Sequence, residues 1–177
     1  MIKILMLLFL VGCGDQFQDK RFLAPIPVTN QVRPTLLSED FRPFVEQFYI
    51  DAEKRDVATS TMVESVGFID DYGEGMDTIG RCSEFYTHQS GPVTRKVTVL
   101  RSDWDASTDI HRKLVLYHEL GHCALGLHHT EESQQIMAKY ALPDIFAELN
   151  WDELVNTLFT TRPDGSINLT DHEEGEL

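Results

Sequence analysis

The chain has 177 residues, with 15 lysines and arginines against 29 aspartates and glutamates, and a formal net charge of −14. A field of that sign repels phosphate backbones and anionic headgroups, so nucleic acid is excluded as an expected partner and solubility is the ordinary role of the acidity. The length suits one domain with a proper core, and no internal repeat is visible.

The chain opens with Met1-Ile2-Lys3 and an apolar run over residues 4–11, far short of the roughly 20 apolar residues that span a bilayer. With Leu10-Val11-Gly12-Cys13 following the lone lysine, this reads as an export signal. The tetrapeptide resembles the bacterial lipobox. That resemblance implies a signal peptide over residues 1–12, a lipid on the Cys13 thiol, and membrane attachment through that lipid only. Gly14 is no inner-membrane retention residue, so the outer membrane of a Gram-negative cell is the expected address. An ordinary secretory signal with an incidental cysteine is the alternative. Residues 13–37 carry Pro25, Pro27 and Pro34 without a sustained period, which reads as an extended tether.

A folded domain is expected over residues 38–160. Ser38 reads as a helix N-cap, and Phe41, Phe44, Val45, Phe48 and Ala52 recur at helical spacing to about residue 55, with Pro43 tolerated in the first turn. Residues 62–69 are of β type. In the acidic loop at 70–80, Asp70, Asp71, Glu74 and Asp77 fit no known calcium spacing, so a solvated turn is expected. Residues 81–87 and 93–100 read as strands joined around Gly91-Pro92. Ser107 or Thr108 is expected to cap the next helix, which buries Ile110, Leu114, Tyr117, Ala124 and Leu125 and stops at Gly126. A last helix over 144–159, behind Pro143, points Ile145, Leu149, Leu154 and Leu158 inward. Residues 161–177 form a polar acidic tail. The class predicted is α+β: a short twisted mixed sheet with two packed helices and a C-terminal helix, and residues 28–37 are the place for a further strand.

Residues 118–129 read His-Glu-Leu-Gly-His-Cys-Ala-Leu-Gly-Leu-His-His. At about 3.6 residues per turn, His118 and His122 share a helix face one turn apart. They can grip a single Zn²⁺ from one side, with Glu119 as a general base toward metal-bound water. Past Gly126, His128 and His129 are both candidates for a third imidazole. Three neutral imidazoles leave one tetrahedral position for water, which is the arrangement of a catalytic zinc. The bland competitor is a surface helix with solvated histidines. In an exported chain Cys82 and Cys123 are expected to join, worth about 4 kcal/mol in the chain-entropy account. Cys123 as a fourth ligand is disfavoured, since one residue past His122 its side chain points about 100° away. His88, His111 and His172 are taken as solvated.

These residues resemble the signature of the metzincin metallopeptidases, His-Glu-x-x-His-x-x-Gly-x-x-His followed by a Met-turn. The nearest likeness is to the matrixins and to small matrixin-like bacterial lipoproteins carrying His-Glu-Leu-Gly-His-Cys. It is specific over residues 107–140 and loose over 38–106. It implies a metzincin-like domain with one catalytic Zn²⁺, a peptide or protein substrate, endopeptidase activity with Glu119 as general base, and Met137, after Ile136, as the Met-turn methionine. It also implies that the strand at 93–100 is the edge strand that pairs with substrate.

The chain departs from the pattern in one place. Strict spacing puts glycine at 125 and histidine at 128, whereas Leu125 takes the glycine place and Gly126 follows one residue late. His129 keeps the Gly-x-x-His interval, and its distance along the chain to Met137 equals the matrixin spacing, which favours His129 over His128. Tyr140 is one residue off from where some metzincins place an oxyanion tyrosine, so packing is its expected role. Glu148 and Asp152 match a gluzincin Glu-x-x-x-Asp pattern, a second zincin reading ranked below the first. A zinc-binding surface lipoprotein without turnover, and a non-peptidase zinc hydrolase, are the competing functions; retention of Glu119 favours catalysis. No cysteine-switch segment of matrixin type lies between Cys13 and Ser38, and a monomer is expected.

Overall fold

The computed structural model describes residues 33–59, 63–73, 78–86 and 93–161. The export signal, Cys13, most of the tether, Glu74 and Asp77 of the acidic loop, Gly91-Pro92, His88 and the acidic tail fall outside them. The described residues form strands β1 (Leu36–Leu37), β2 (Val63–Ile69), β3 (Gly80–Tyr86) and β4 (Val93–Leu100), and helices α1 (Arg42–Glu53), α2 (Arg101–Ala106), α3 (Asp109–Leu125) and α4 (Asp144–Thr160). The class is α+β.

The sheet order is β1-β2-β4-β3, with β1 and β4 parallel to β2 and β3 antiparallel to β4. This corrects the expectation that residues 93–100 form an edge. After β2 the chain runs out to β3 and folds back, so the returning β4 drops between β2 and β3 with both its edges paired. The outer position beside it belongs to β3. β1 lies within the stretch where a further strand was sought.

α1 starts at Arg42, not at Ser38. The carbonyls of Ser38 and Glu39 accept from the N–H groups of Phe41 and Arg42 in a preceding turn (3.1 and 3.2 Å), and Pro43 lies in the first helical turn, where its missing N–H costs nothing. Phe41 and Phe68 (ring centroids 4.3 Å apart) meet Trp104 of α2 (4.6 Å from Phe41), joining α1, β2 and α2. α2 itself has no counterpart in the sequence reading; at six residues it is too short to show a period.

α3 is the central element, and every residue from Leu114 to Leu125 is buried. Thr108 caps it by accepting from the His111 N–H (3.2 Å). Such a cap stabilises by about 1 kcal/mol. The wholly buried Leu116, Tyr117 and Leu120 each contribute roughly 1.5–3 kcal/mol, so packing rather than capping decides where this helix lies. The Tyr117 hydroxyl, one residue before His118, donates to Asp51 Oδ2 of α1 (2.8 Å). On α4, Leu154 and Leu158 face the core as expected, but Ile145 and Leu149 are exposed. The helix buries Ala147, Leu154, Val155, Leu158 and Phe159 instead, a stripe rotated away from the one its first turns suggest.

Candidate metal centre

The motif helix ends at Gly126, which takes φ 70° and ψ 28°, a left-handed conformation that suits glycine. Its N–H bonds the His122 carbonyl (3.1 Å), and the Leu127 N–H reaches back to Gly121 (3.0 Å). The reversal brings the Leu127 carbonyl to His122 Nδ1 at 2.6 Å. The turn that stops the helix thus also orients a ring on it.

The chain then runs through His128 and His129 into a loop closed by the Thr130 N–H on the Met137 carbonyl (2.8 Å) and a bridge between Thr130 and Ala138. This closure sets His129 alongside Met137, and the carbonyl of the preceding Ile136 faces His118 Nδ1 at 2.7 Å. A carbonyl oxygen only accepts, so both Nδ1 atoms carry the proton and donate. In the neutral rings, Nε2 of His118 and of His122 is therefore a lone pair.

Those lone pairs converge. His118 Nε2 lies 3.1 Å from His122 Nε2 and 3.1 Å from His129 Nε2, and the third side is 3.2 Å. Facing acceptors at this distance repel one another unless a cation or proton stands among them. Four-coordinate zinc with nitrogens at 2.0–2.1 Å needs ligand separations of about 3.3 Å, so the triangle matches that geometry and leaves a fourth direction open. Among the described residues His118, His122 and His129 form the group able to hold a metal ion. His128 is outside it. Glu148 and Asp152 are exposed on α4 and also outside it, so the gluzincin donor does not join the pair on α3.

Met137 is buried beneath the motif helix: a Cβ built on Gly121 would overlap its Sδ. Glu119 is wholly buried, and neither carboxylate oxygen has a hydrogen bond of good geometry, although the Cys82 N–H lies nearby. Burial pushes its carboxyl up to about 8, with the Cys82 N–H and the Arg81 guanidinium opposing the shift. The disulfide between Cys82 of β3 and Cys123 of α3 is present, with Cα atoms 5.6 Å apart. Close by, buried Arg95 of β4 meets Glu84 of β3 (Nε to Oε1, 2.8 Å) and donates to the Cys123 carbonyl (2.9 Å) and toward that of His122 (3.4 Å).

Two residues are placed differently from expectation. Tyr140 is not buried; it is 59% exposed and lines an apolar cleft beside His118, together with Leu114, Val115 and Ile136. His111 is not simply solvated: it lines the same cleft and pairs with Asp144 (Nδ1 to Oδ1, 3.4 Å), whose other oxygen accepts from Thr108 (2.6 Å). The contributions of Arg95 and of the Leu127 and Ile136 carbonyls were missed, because backbone groups and cross-strand partners leave no residue-type signal.

Comparison of the chain with protein-family models, curated proteins and solved structures finds no match.

Proposed function

We propose that this protein is a zinc-dependent endopeptidase of metzincin-like design. The observation that carries the proposal is the triangle of imidazole nitrogens, whose two proton-fixed lone pairs call for a cation and whose size suits four-coordinate zinc. His118, His122 and His129 would hold the ion. Zn²⁺ bound there supplies Lewis acidity and lowers the pKa of a bound water to about 7. Glu119, adjacent to His118 on the same helix, would be held in its charged form by the neighbouring cation, take the proton from the attacking water and return it to the leaving amine. The Ile136 and Leu127 carbonyls hold two rings in the ligating tautomer, which a catalytic metal requires of the residues behind its ligands. Strand β3, outermost in the sheet and disulfide-linked to the motif helix, is the edge along which an extended peptide would pair.

The disulfide suits an oxidising compartment, in keeping with export and lipid attachment through Cys13. Zinc per chain and cleavage of a peptide library, read by mass spectrometry for wild type and Glu119→Gln, test the proposal. Cleavage by wild type and not by the variant is expected. Equal cleavage by both would remove the enzyme, and zinc without cleavage by either would favour a zinc-binding lipoprotein without turnover.

A further inference from the structure

Glycine is a poor strand residue: it has no side chain to pack, and inside a strand it often marks a place where another group approaches closely. Gly80 opens β3 and pairs with Val99 of β4. It is buried, and its backbone is not in the left-handed region, since among the described residues positive-φ glycines are Gly73 and Gly126. An alanine is therefore acceptable to the backbone at this position. What stands in the way is one side chain. A Cβ on Gly80 would lie 2.7 Å from Glu119 Cγ, 2.7 Å from Oε1 and 3.0 Å from Cδ, all well inside contact distance.

We propose that Gly80 is a positioning residue for Glu119, its bare Cα forming the wall against which the carboxylate rests. Glu119 and Cys123 are one helical turn apart on α3, and Gly80 and Cys82 are two apart on β3, so each pair shares a face of its element. The bridge from Cys82 to Cys123 joins those two faces, and it pins the strand so that Gly80 meets Glu119 and not a neighbour. Polar contact with this buried carboxylate comes from the nearby Cys82 N–H and makes no hydrogen bond of good geometry, so shape has to complete its placement. The glycine supplies the shape, and the disulfide keeps it from sliding. The catalytic consequence rests on the peptidase reading; the contact does not.

The test compares wild type, Gly80→Ala, Glu119→Asp and the double variant. Aspartate is one methylene shorter and makes room for the added Cβ. Three quantities are measured: zinc per chain, cleavage of a mixed peptide library, and the unfolding midpoint without metal. Gly80→Ala is expected to retain one zinc while losing cleavage on the order of 100-fold, the scale of misplacing a catalytic group by about 1 Å. It should lower the unfolding midpoint in the Glu119 background and leave it unchanged or raised in the Glu119→Asp background. Cleavage within twofold of wild type, or equal midpoint shifts in both backgrounds, overturns the proposal. A Gly80→Ala chain that folds only when Glu119→Asp is added reports the same contact, and one that fails in both backgrounds overturns it. If wild type cleaves nothing, the peptidase reading fails, and the midpoints alone decide whether Gly80 bears on Glu119.

Discussion

Gly121 and Met137 are packed so closely that a single added carbon does not fit between them. A Cβ on Gly121 would overlap Met137 Sδ and sit 3.3 Å from its Cε and 3.4 Å from Leu158 Cδ1. The helix bearing His118 and His122 and the turn bearing the methionine are thereby in van der Waals contact. Met137 follows Ile136, whose carbonyl holds His118, so pressure on the methionine is transmitted to a ligand ring.

Gly121→Ala sets two effects against each other. In a helix interior alanine is favoured over glycine by about 0.8–1 kcal/mol. Overpacking a filled core costs about 1–3 kcal/mol. With Met137 buried, overpacking is expected to win, giving a net loss of about 1 kcal/mol in urea unfolding of the metal-free protein together with weaker zinc binding. In a Met137→Ala background the same substitution should turn neutral or stabilising. A stabilising Gly121→Ala in the wild-type background would show that the methionine yields freely.

Geometry places His129, and not His128 or Glu148, in the group able to hold a metal ion, and substitution at each candidate tests the choice. His129→Ala is expected to weaken zinc binding by well over the roughly 10–100-fold typical of losing a group behind a ligand. His128→Ala and Glu148→Ala should leave the affinity within a few-fold, as neither residue belongs to the converging set. Competition with a chromophoric chelator gives all three numbers.

Arg95 is almost fully buried, with Glu84 only 10% exposed beside it. Arg95→Ala leaves that carboxylate without its guanidinium and removes a donor from the carbonyls of Cys123 and His122. Breaking one side of a buried pair costs about 3–5 kcal/mol. Denaturant unfolding should show a loss of that order, and zinc affinity should fall with it because the end of the ligand helix loosens. Replacing both Arg95 and Glu84 by leucine should cost clearly less than Arg95→Ala alone.

Reducing the Cys82–Cys123 bridge opens a loop of 41 residues' separation. A native disulfide of this kind is worth about 2–4 kcal/mol. Cys82→Ala/Cys123→Ala should lose stability in that range, and wild type in excess dithiothreitol should unfold at the same denaturant concentration as the double variant. A reduced protein as stable as the oxidised one would mean that packing alone holds α3 against β3.

Alkaline stability carries a signature of Tyr72. Its hydroxyl donates to the Thr98 carbonyl (2.7 Å) and lies 3.0 Å from the Thr98 Oγ1 hydroxyl, and burial pushes its pKa up to about 12 from the ordinary value of 10, with the Thr98 hydroxyl and Arg81 opposing the shift and the nearby Glu119 carboxylate adding to it. Between those two values the unfolded chain has released a proton that the folded chain keeps, so stability present below pH 10 is lost as pH rises toward 12. Tyr72→Phe should be less stable at pH 8, through the lost bond to Thr98, and should show a shallower decline above pH 10. Urea titrations across that window read both effects, and identical slopes for the two proteins would refute the assignment.

The elements that periodicity can mark were legible in the chain. The buried face of α1, the three longer strands, Thr108 as a cap and Gly126 as a helix stop all follow from local spacing and from conformations that particular residues favour. The pair His118 and His122 was legible for the same reason, because i and i+4 share a face whatever the rest of the protein does. Thr108 over Ser107, and His129 over His128, were narrower choices.

Tertiary packing decided the rest. Whether 93–100 is an edge depends on where the chain returns after β3, and no residue within that strand records the return. Ile145 and Leu149 look inward on a helical wheel, but the stripe that α4 buries is set by its neighbours. The third nitrogen reaches the other two only because the Thr130 to Ala138 loop closes on itself and brings distant backbone beside His118. Ligand type and pair spacing are local properties carried by side chains; convergence of three donors on one point is a property of how separated segments pack, and that exists only in the folded chain.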